Sequence, residues 1–206
     1  MILVTKPVAL AITLLIAPGP EGESGMVARY TFDEGAGTIL KNHAGAKHAG
    51  TIHNAAWEPS PRGRRLAFNR AGSYVDCGAE LGRKLTGDST LVAWVRLSPS
   101  AYPDGSTNWT IADCEDYTQS GFIVRVDGQT AKLYYRASTA GRTGDVFSRA
   151  ILQKDVFHHV AVTRAGDRVA FYIDGRPDVS ITADRPAPPS QSLKISSPGQ
   201  PLQGVL

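Results

Sequence analysis

Residues 157–175, FHHVAVTRAGDRVAFYIDG, read as two β-strands joined by a tight turn. Val160 and Val162 alternate with Ala161 and Thr163, and Val169, Phe171 and Ile173 alternate with Ala170 and Tyr172. A period of two gives each strand one apolar face and one open face. Ala165-Gly166-Asp167 supplies the turn, and Asp174-Gly175 supplies a second one into Arg176–Thr182. Three consecutive antiparallel strands cannot bury such a face alone, so a second sheet has to cover it.

Working outward, Ser89–Leu97 (STLVAWVRL) is the strongest strand signal of the first half, with Leu91, Ala93, Val95 and Leu97 on one face and Val92, Trp94 and Arg96 on the other. Shorter strands are predicted over residues 27–32, 65–68, 73–76, 109–112, 121–126, 133–136, 145–149 and 193–196. Residues 42–50 (NHAGAKHAG), 98–108 and 113–120 read as loops. Residues 183–190, carrying Pro186, Pro188 and Pro189, read as a connection. Trp57 stands alone before Pro59-Ser60-Pro61. With no helical period and no repeat of about 20–50 residues, the pattern predicts an all-β, two-sheet antiparallel sandwich.

Composition narrows the class. The 206 residues are 42% hydrophobic, enough for a packed core, and the net charge of +3 is small. Arg62, Arg64 and Arg65 form the one tight basic cluster, shorter than the basic run with interleaved aromatics that a nucleic-acid surface requires, so no nucleic-acid partner is expected. Lys6 followed by an apolar run at residues 8–17 has the form of an export leader, and Pro18-Gly19-Pro20-Glu21-Gly22 follows as a breaker. The run is shorter than the roughly 20 residues a bilayer requires. Residues 1–22 are accordingly expected to be signal peptide and linker and residues 23–206 the domain, secreted or at the cell surface, with no membrane span in the mature chain. Cys77 and Cys114 suit an exported chain, either as one disulfide or as buried thiols.

The run from Phe157 to Thr163 (FHHVAVT) with RVAFYIDG after it resembles the hairpin of laminin-G-like, concanavalin A-like lectin domains. Tyr30-Thr-Phe-Asp-Glu-Gly35 is similar to the opening strand of that family, Leu66-Ala-Phe-Asn69 with Ser73-Tyr-Val-Asp-Cys77 to its next hairpin, and Thr90-Leu-Val-Ala-Trp-Val-Arg96 to its central strand. The resemblance covers residues 26–206 and implies a jelly-roll sandwich. Phe157 stands where the family commonly has Trp, and Arg29-Tyr30 where an aromatic and a small residue are usual. At residues 203–206 the family would run on into an Asp-Glu pair and a final strand beside the first. Residues 27–32 are therefore expected to present an unpaired, aggregation-prone edge unless another segment or chain fills the gap.

Carbohydrate-binding candidates are Trp94, Tyr134 and Tyr172, whose rings would sit on an open sheet face and suit the apolar faces of sugars, with Arg96, Arg125 and Arg136 as polar neighbours. The partner class is a glycan or glycoprotein. The family resemblance also implies a rim Ca²⁺, for which Asp104, Asp113, Glu115 and Asp116 are the loop carboxylates, since calcium takes roughly six to eight oxygens. His158 and His159 are adjacent in a strand and so diverge, one buried and one open, which makes them structural. His43, His48 and His53 recur in a Gly/Ala-rich stretch that does not fix metal geometry. Asn108-Trp109-Thr110 has the form of a glycosylation sequon.

Laminarinase-type hydrolases share this sandwich, but they need two carboxylates facing each other across a cleft. No strand here carries them at even spacing, and Glu115 and Asp116 are adjacent in a loop. No nucleophile elbow or phosphate loop is present. The expected function is a secreted, non-catalytic recognition module. A protein-binding adhesion domain and a hydrolase remnant are the alternatives.

Overall fold

The computed structural model describes residues 12–16, 25–60, 63–98, 108–200, 202 and 204–205. In chain order its elements are β1 (Ile12–Ile16), β2 (Met26–Tyr30), β3 (Ile39–Leu40), β4 (Gly50–His53), β5 (Ala56–Ser60), β6 (Gly63–Ala67) and β7 (Tyr74–Asp76). A short helix, α1 (Ala79–Lys84), precedes β8 (Ser89–Leu97), β9 (Trp109–Asp113), β10 (Phe122–Val126), β11 (Lys132–Thr139) and β12 (Arg142–Ile151). The hairpin strands β13 (Phe157–Ala165), β14 (Arg168–Ile173) and β15 (Arg176–Thr182) follow, then β16 (Lys194–Ile195) and β17 (Gly204–Val205).

These strands make the antiparallel two-sheet sandwich that their alternation requires. Sheet A runs β15-β14-β13-β8-β17-β6-β5, with β1 joined to β8 and β2 joined to β1; sheet B runs β12-β11-β10-β9-β16-β7-β4-β3. Leu91, Ala93, Val95 and Leu97 of β8, Val160 and Val162 of β13, and Val169, Phe171 and Ile173 of β14 all enter one buried cluster. Sheet B meets them with Ile111, Phe122, Val124, Val126, Leu133, Tyr135 and Ala137. Such burial, at roughly 25 cal/mol per Å² of apolar surface, is the main force holding the layers together. The β14–β15 turn places Asp174 at φ 51° and Gly175 at φ 76°, the two left-handed positions of a type I′ hairpin.

Among the described residues, one arginine lies inside the sandwich. Arg164 is buried, and its guanidinium donates to the carbonyls of Gly166, Ala183 and Asp184 and to the Tyr135 hydroxyl. Carbonyl dipoles thus do the work a carboxylate would otherwise do.

Three features bear on the sequence expectations. Strands β3, β4 and β5 were not expected, because two of them are short and Pro59 lies inside β5. That proline is tolerated because β5 is the terminal strand of sheet A. Second, β2 is not left open: Ile12, Thr13 and Leu14 pair with Tyr30, Arg29 and Ala28. Residues 12–16, inside the expected leader, thus form a strand of the same sheet, since a continuous apolar run suits a leader core and a buried strand equally. Third, Cys77 and Cys114 are free, buried thiols. Of the two states left open by the sequence, topology selects the buried thiols. Cys77 follows β7, Cys114 follows β9, and β16 runs between those strands. Two strand spacings separate the sulfur-bearing residues by about 9–10 Å, beyond the roughly 4.4–6.8 Å a bridge spans.

Candidate carbohydrate-binding face

On the outer side of sheet B, strand parity and register assemble a polar surface. Residues facing away from the core line up across the strands: Asp145 pairs with Arg136, Arg136 with Ile123, Ile123 with Asp113, Asp113 with Lys194, and Lys194 with Asp76. The neighbouring row is Phe147, Tyr134, Arg125 and Thr110. Charges of opposite sign therefore face one another across neighbouring strands, an arrangement that stabilises the pairing.

Arg136 is the centre of this face. Its Nε donates to Asp145 Oδ1 at 2.9 Å and its Nη2 to Oδ2 at 3.4 Å, while Nη1 lies 3.9 Å from Glu115 Oε2. The two-pronged contact fixes the guanidinium plane. Its Cζ lies 5.4 Å from the Tyr134 ring centre and 5.6 Å from that of Tyr117. Tyr117 is 69% exposed and Phe147 43%, so one exposed ring lies against the fixed cation and a second lies on the Tyr134 ring in the neighbouring row. The Tyr117 turn is anchored by pairing of Asp116 with Ser120 and by Gly121, where a Cβ would come within 2.1 Å of the Cys114 carbonyl oxygen.

Burial tunes the carboxyls here. Asp113 is pushed above its ordinary value by burial, against the opposing pull of the Glu115 N–H, Ser197, Lys194 and Arg125. Glu115 is likewise raised by burial, opposed by the Ser138 hydroxyl and Arg136. Arg125 lies 4.4 Å over the Tyr134 ring and donates through Nη1 to Gln200 Oε1 at 3.0 Å. Its Nε, and the hydroxyl of its cross-strand neighbour Thr110, are buried without a partner among the described residues. Two unmet hydrogen bonds side by side call for a water or ligand oxygen.

The six residues expected to bind carbohydrate divide between two surfaces. Arg125, Tyr134 and Arg136 lie together on sheet B. Trp94, Arg96 and Tyr172 lie on the outer side of sheet A, where Trp94 tilts against His159 at 5.1 Å and Arg96 sits over Phe157 at 5.7 Å. Tyr134 does not serve as an open platform. It is 1% exposed, covered by Arg125 and by the Phe147 ring at 4.7 Å. Sequence reading missed Tyr117, Phe147 and Asp145 as members of the face. Parity along β12 groups Phe147 with Asp145, whereas nothing in a loop sequence singles out Tyr117.

The metal candidates fare differently. Asp104 lies outside the described residues. Asp113 accepts from the Glu115 N–H, Glu115 from the Ser138 hydroxyl, and Asp116 from the Ser190 hydroxyl, and the three carboxylates do not converge. With Arg125, Arg136 and Lys194 close by, they do not fit Ca²⁺. The one converging group among the described residues is Asp33, Glu34 and His43, whose ligand atoms lie within 4.8 Å of one another. Glu34 Oε2 is buried there without a donor, an oxygen that a divalent cation would satisfy. His48 and His53 stay outside that group, His53 stacking on Tyr74 at 4.5 Å. His158 is buried. Its Nε2 accepts from the Gln153 N–H at 3.0 Å, so Nδ1 carries the proton that meets Asp174 Oδ2 at 2.8 Å.

Residues 69–201 match the family model of the concanavalin A-like lectin/glucanases superfamily. No curated protein matches the sequence. Among solved structures, domain 4 of AbnA, a GH43 extracellular arabinanase from Geobacillus stearothermophilus in complex with arabinotriose, superposes with a TM-score of 0.64 at 15% identity over 86% of this chain and 87% of that one. The botulinum neurotoxin type G receptor binding domain superposes at 0.58 with 13% identity, over 95% of this chain and 44% of that one. Trypanosoma rangeli sialidase in complex with the inhibitor DANA superposes at 0.55 with 17% identity, over 97% of this chain and 30% of that one. At these identities the likeness is one of fold.

Proposed function

The chain belongs to the concanavalin A-like lectin/glucanases superfamily, and from that membership we propose that it is an exported, non-catalytic module that binds carbohydrate, free or on a glycoprotein, through the outer face of sheet B. The observation that carries this reading is the clamp of Arg136 by Asp145 against the exposed ring of Tyr117, with the exposed Phe147 ring on Tyr134 in the next row. A sugar presents apolar C–H faces to such rings and hydroxyls to fixed charged groups beside them. The unmet bonds of Arg125 Nε and Thr110 Oγ1 support the same face. Asp33, Glu34 and His43 would hold a divalent cation in a structural role, away from the sugar. The apolar run at residues 8–17 supports export, as does the extracellular setting of the arabinanase whose domain this fold resembles.

The test is binding to a panel of soluble polysaccharides that includes arabinan, with Arg136→Ala as the diagnostic variant. Retained polysaccharide with Arg136→Ala released supports the reading; no retention of any member, or no effect of the variant, rejects it. A hydrolytic reading draws on one observation, the two raised carboxyls of Asp113 and Glu115 two residues apart. Glycan hydrolysis by the wild type that disappears in Glu115→Gln would establish that reading instead.

A further inference from the structure

Strand β8 has one long neighbour on its β13 edge and two short ones laid end to end on the other. Gly204 and Val205 pair with Leu97 and Arg96, and Ile12 through Ile16 pair with Ala93 through Ser89. Both short strands are antiparallel to β8, so both run the same way along it, with the positions of Val95 and Trp94 between them. On its far side β1 pairs with β2, so its backbone is engaged along both edges. Ile12 and Leu14, two residues apart and therefore on one face, are each 1% exposed within the core cluster. Taking β1 away would leave two facing strand edges and an apolar trough beneath them.

We propose that the row between β2 and β8 is a strand-acceptor site, and that the segment Ile12–Ile16 is its donor, held by backbone pairing and two buried side chains rather than by its link to β2. The site specifies its occupant by chemistry. It takes an extended segment running in the direction of β17, with bulky apolar residues at the positions of Ile12 and Leu14, which pair with Ala93 and Leu91 on one side and with Tyr30 and Ala28 on the other. A charge at the Leu14 position is excluded because it would be buried without a partner. This is strand addition in which the added strand comes from the same chain, whether or not that segment also serves in export.

The experiment uses the full chain with residues 19–22 replaced by a specific protease site and cut in the folded state. At micromolar concentration the N-terminal fragment should co-elute with the body in gel filtration. Cut protein incubated with a tenfold excess of a fluorescent peptide of residues 8–18 should take up label toward one equivalent. The same peptide carrying Leu14→Arg should be taken up at least about 100-fold less well. If loss of the fragment makes the body aggregate, rescue by the wild-type peptide and not by Leu14→Arg supports the site equally. A fragment that departs while the body keeps its melting temperature and takes up no label, or equal uptake of the two peptides, overturns the proposal. Carbohydrate enters none of these readouts, so failure here and failure of glycan binding are separable.

Discussion

Two tyrosines on one face should fail in opposite ways, and the contrast tests where ligand sits. Tyr117 is 69% exposed, and its ring centre lies 5.6 Å from the Arg136 guanidinium. Stacking a sugar on its ring would remove about 50 Å² of apolar surface from water, which at roughly 25 cal/mol per Å² is about 1.3 kcal/mol. Tyr117→Ala should therefore weaken binding roughly tenfold and leave the melting temperature within about 1 °C. Tyr134 is 1% exposed beneath Arg125 and Phe147, and its hydroxyl donates to Asp145 at 3.0 Å. Emptying such a site costs about 3–5 kcal/mol. For a domain of this length each kcal/mol moves the midpoint by roughly 2–4 °C, so Tyr134→Ala should melt about 6–20 °C lower. Isothermal titration with a retained polysaccharide and parallel calorimetric melts read both quantities. Undiminished affinity in Tyr117→Ala, with binding lost in Trp94→Ala, would refute the reasoning and move the ligand to the outer side of sheet A.

Three further outcomes are expected. Burial alone would raise the Asp174 carboxyl, but the His158 side chain and the His159 N–H hold it below the ordinary value of 3.8. A depressed carboxyl contributes stability that is present above its unfolded pKa and lost as pH falls through the folded one. Asp174→Asn should accordingly be less stable than wild type at pH 7, with the gap closing below about pH 4 in pH-resolved melts. Burial pushes the Cys77 and Cys114 thiols up to about 12, so native protein should resist iodoacetamide at both and incorporate two labels once unfolded. Millimolar Ca²⁺ or Mn²⁺ should raise the melting temperature by several degrees in wild type and in Asp116→Asn but not in Glu34→Gln, since a cation at about 100 times its dissociation constant adds roughly 2.7 kcal/mol.

Alternation along the chain was enough to predict which residues of β8, β13 and β14 face inward, because a period of two is a property of the backbone alone. It did not show that Arg125 and Phe147 close over Tyr134, since those side chains arrive from strands on either side of it. Nor did it distinguish the surface of Trp94 from that of Arg136, because the sheet a strand joins depends on partners far away in sequence. The helix α1 went unseen because its six residues are too few to establish a period.

What the amino-acid sequence determined by itself was the class: short alternating strands with Gly/Pro turns, apolar enough for two facing sheets, in an order that resembles one lectin-like family. Tertiary structure alone decided that residues 12–16 lie between β2 and β8, that β16 separates Cys77 from Cys114, and that Tyr117 lies against Arg136. The physical reason is common to all three. Inward and outward directions follow from local backbone geometry, whereas lateral neighbours depend on register and closure entropy settled between distant segments.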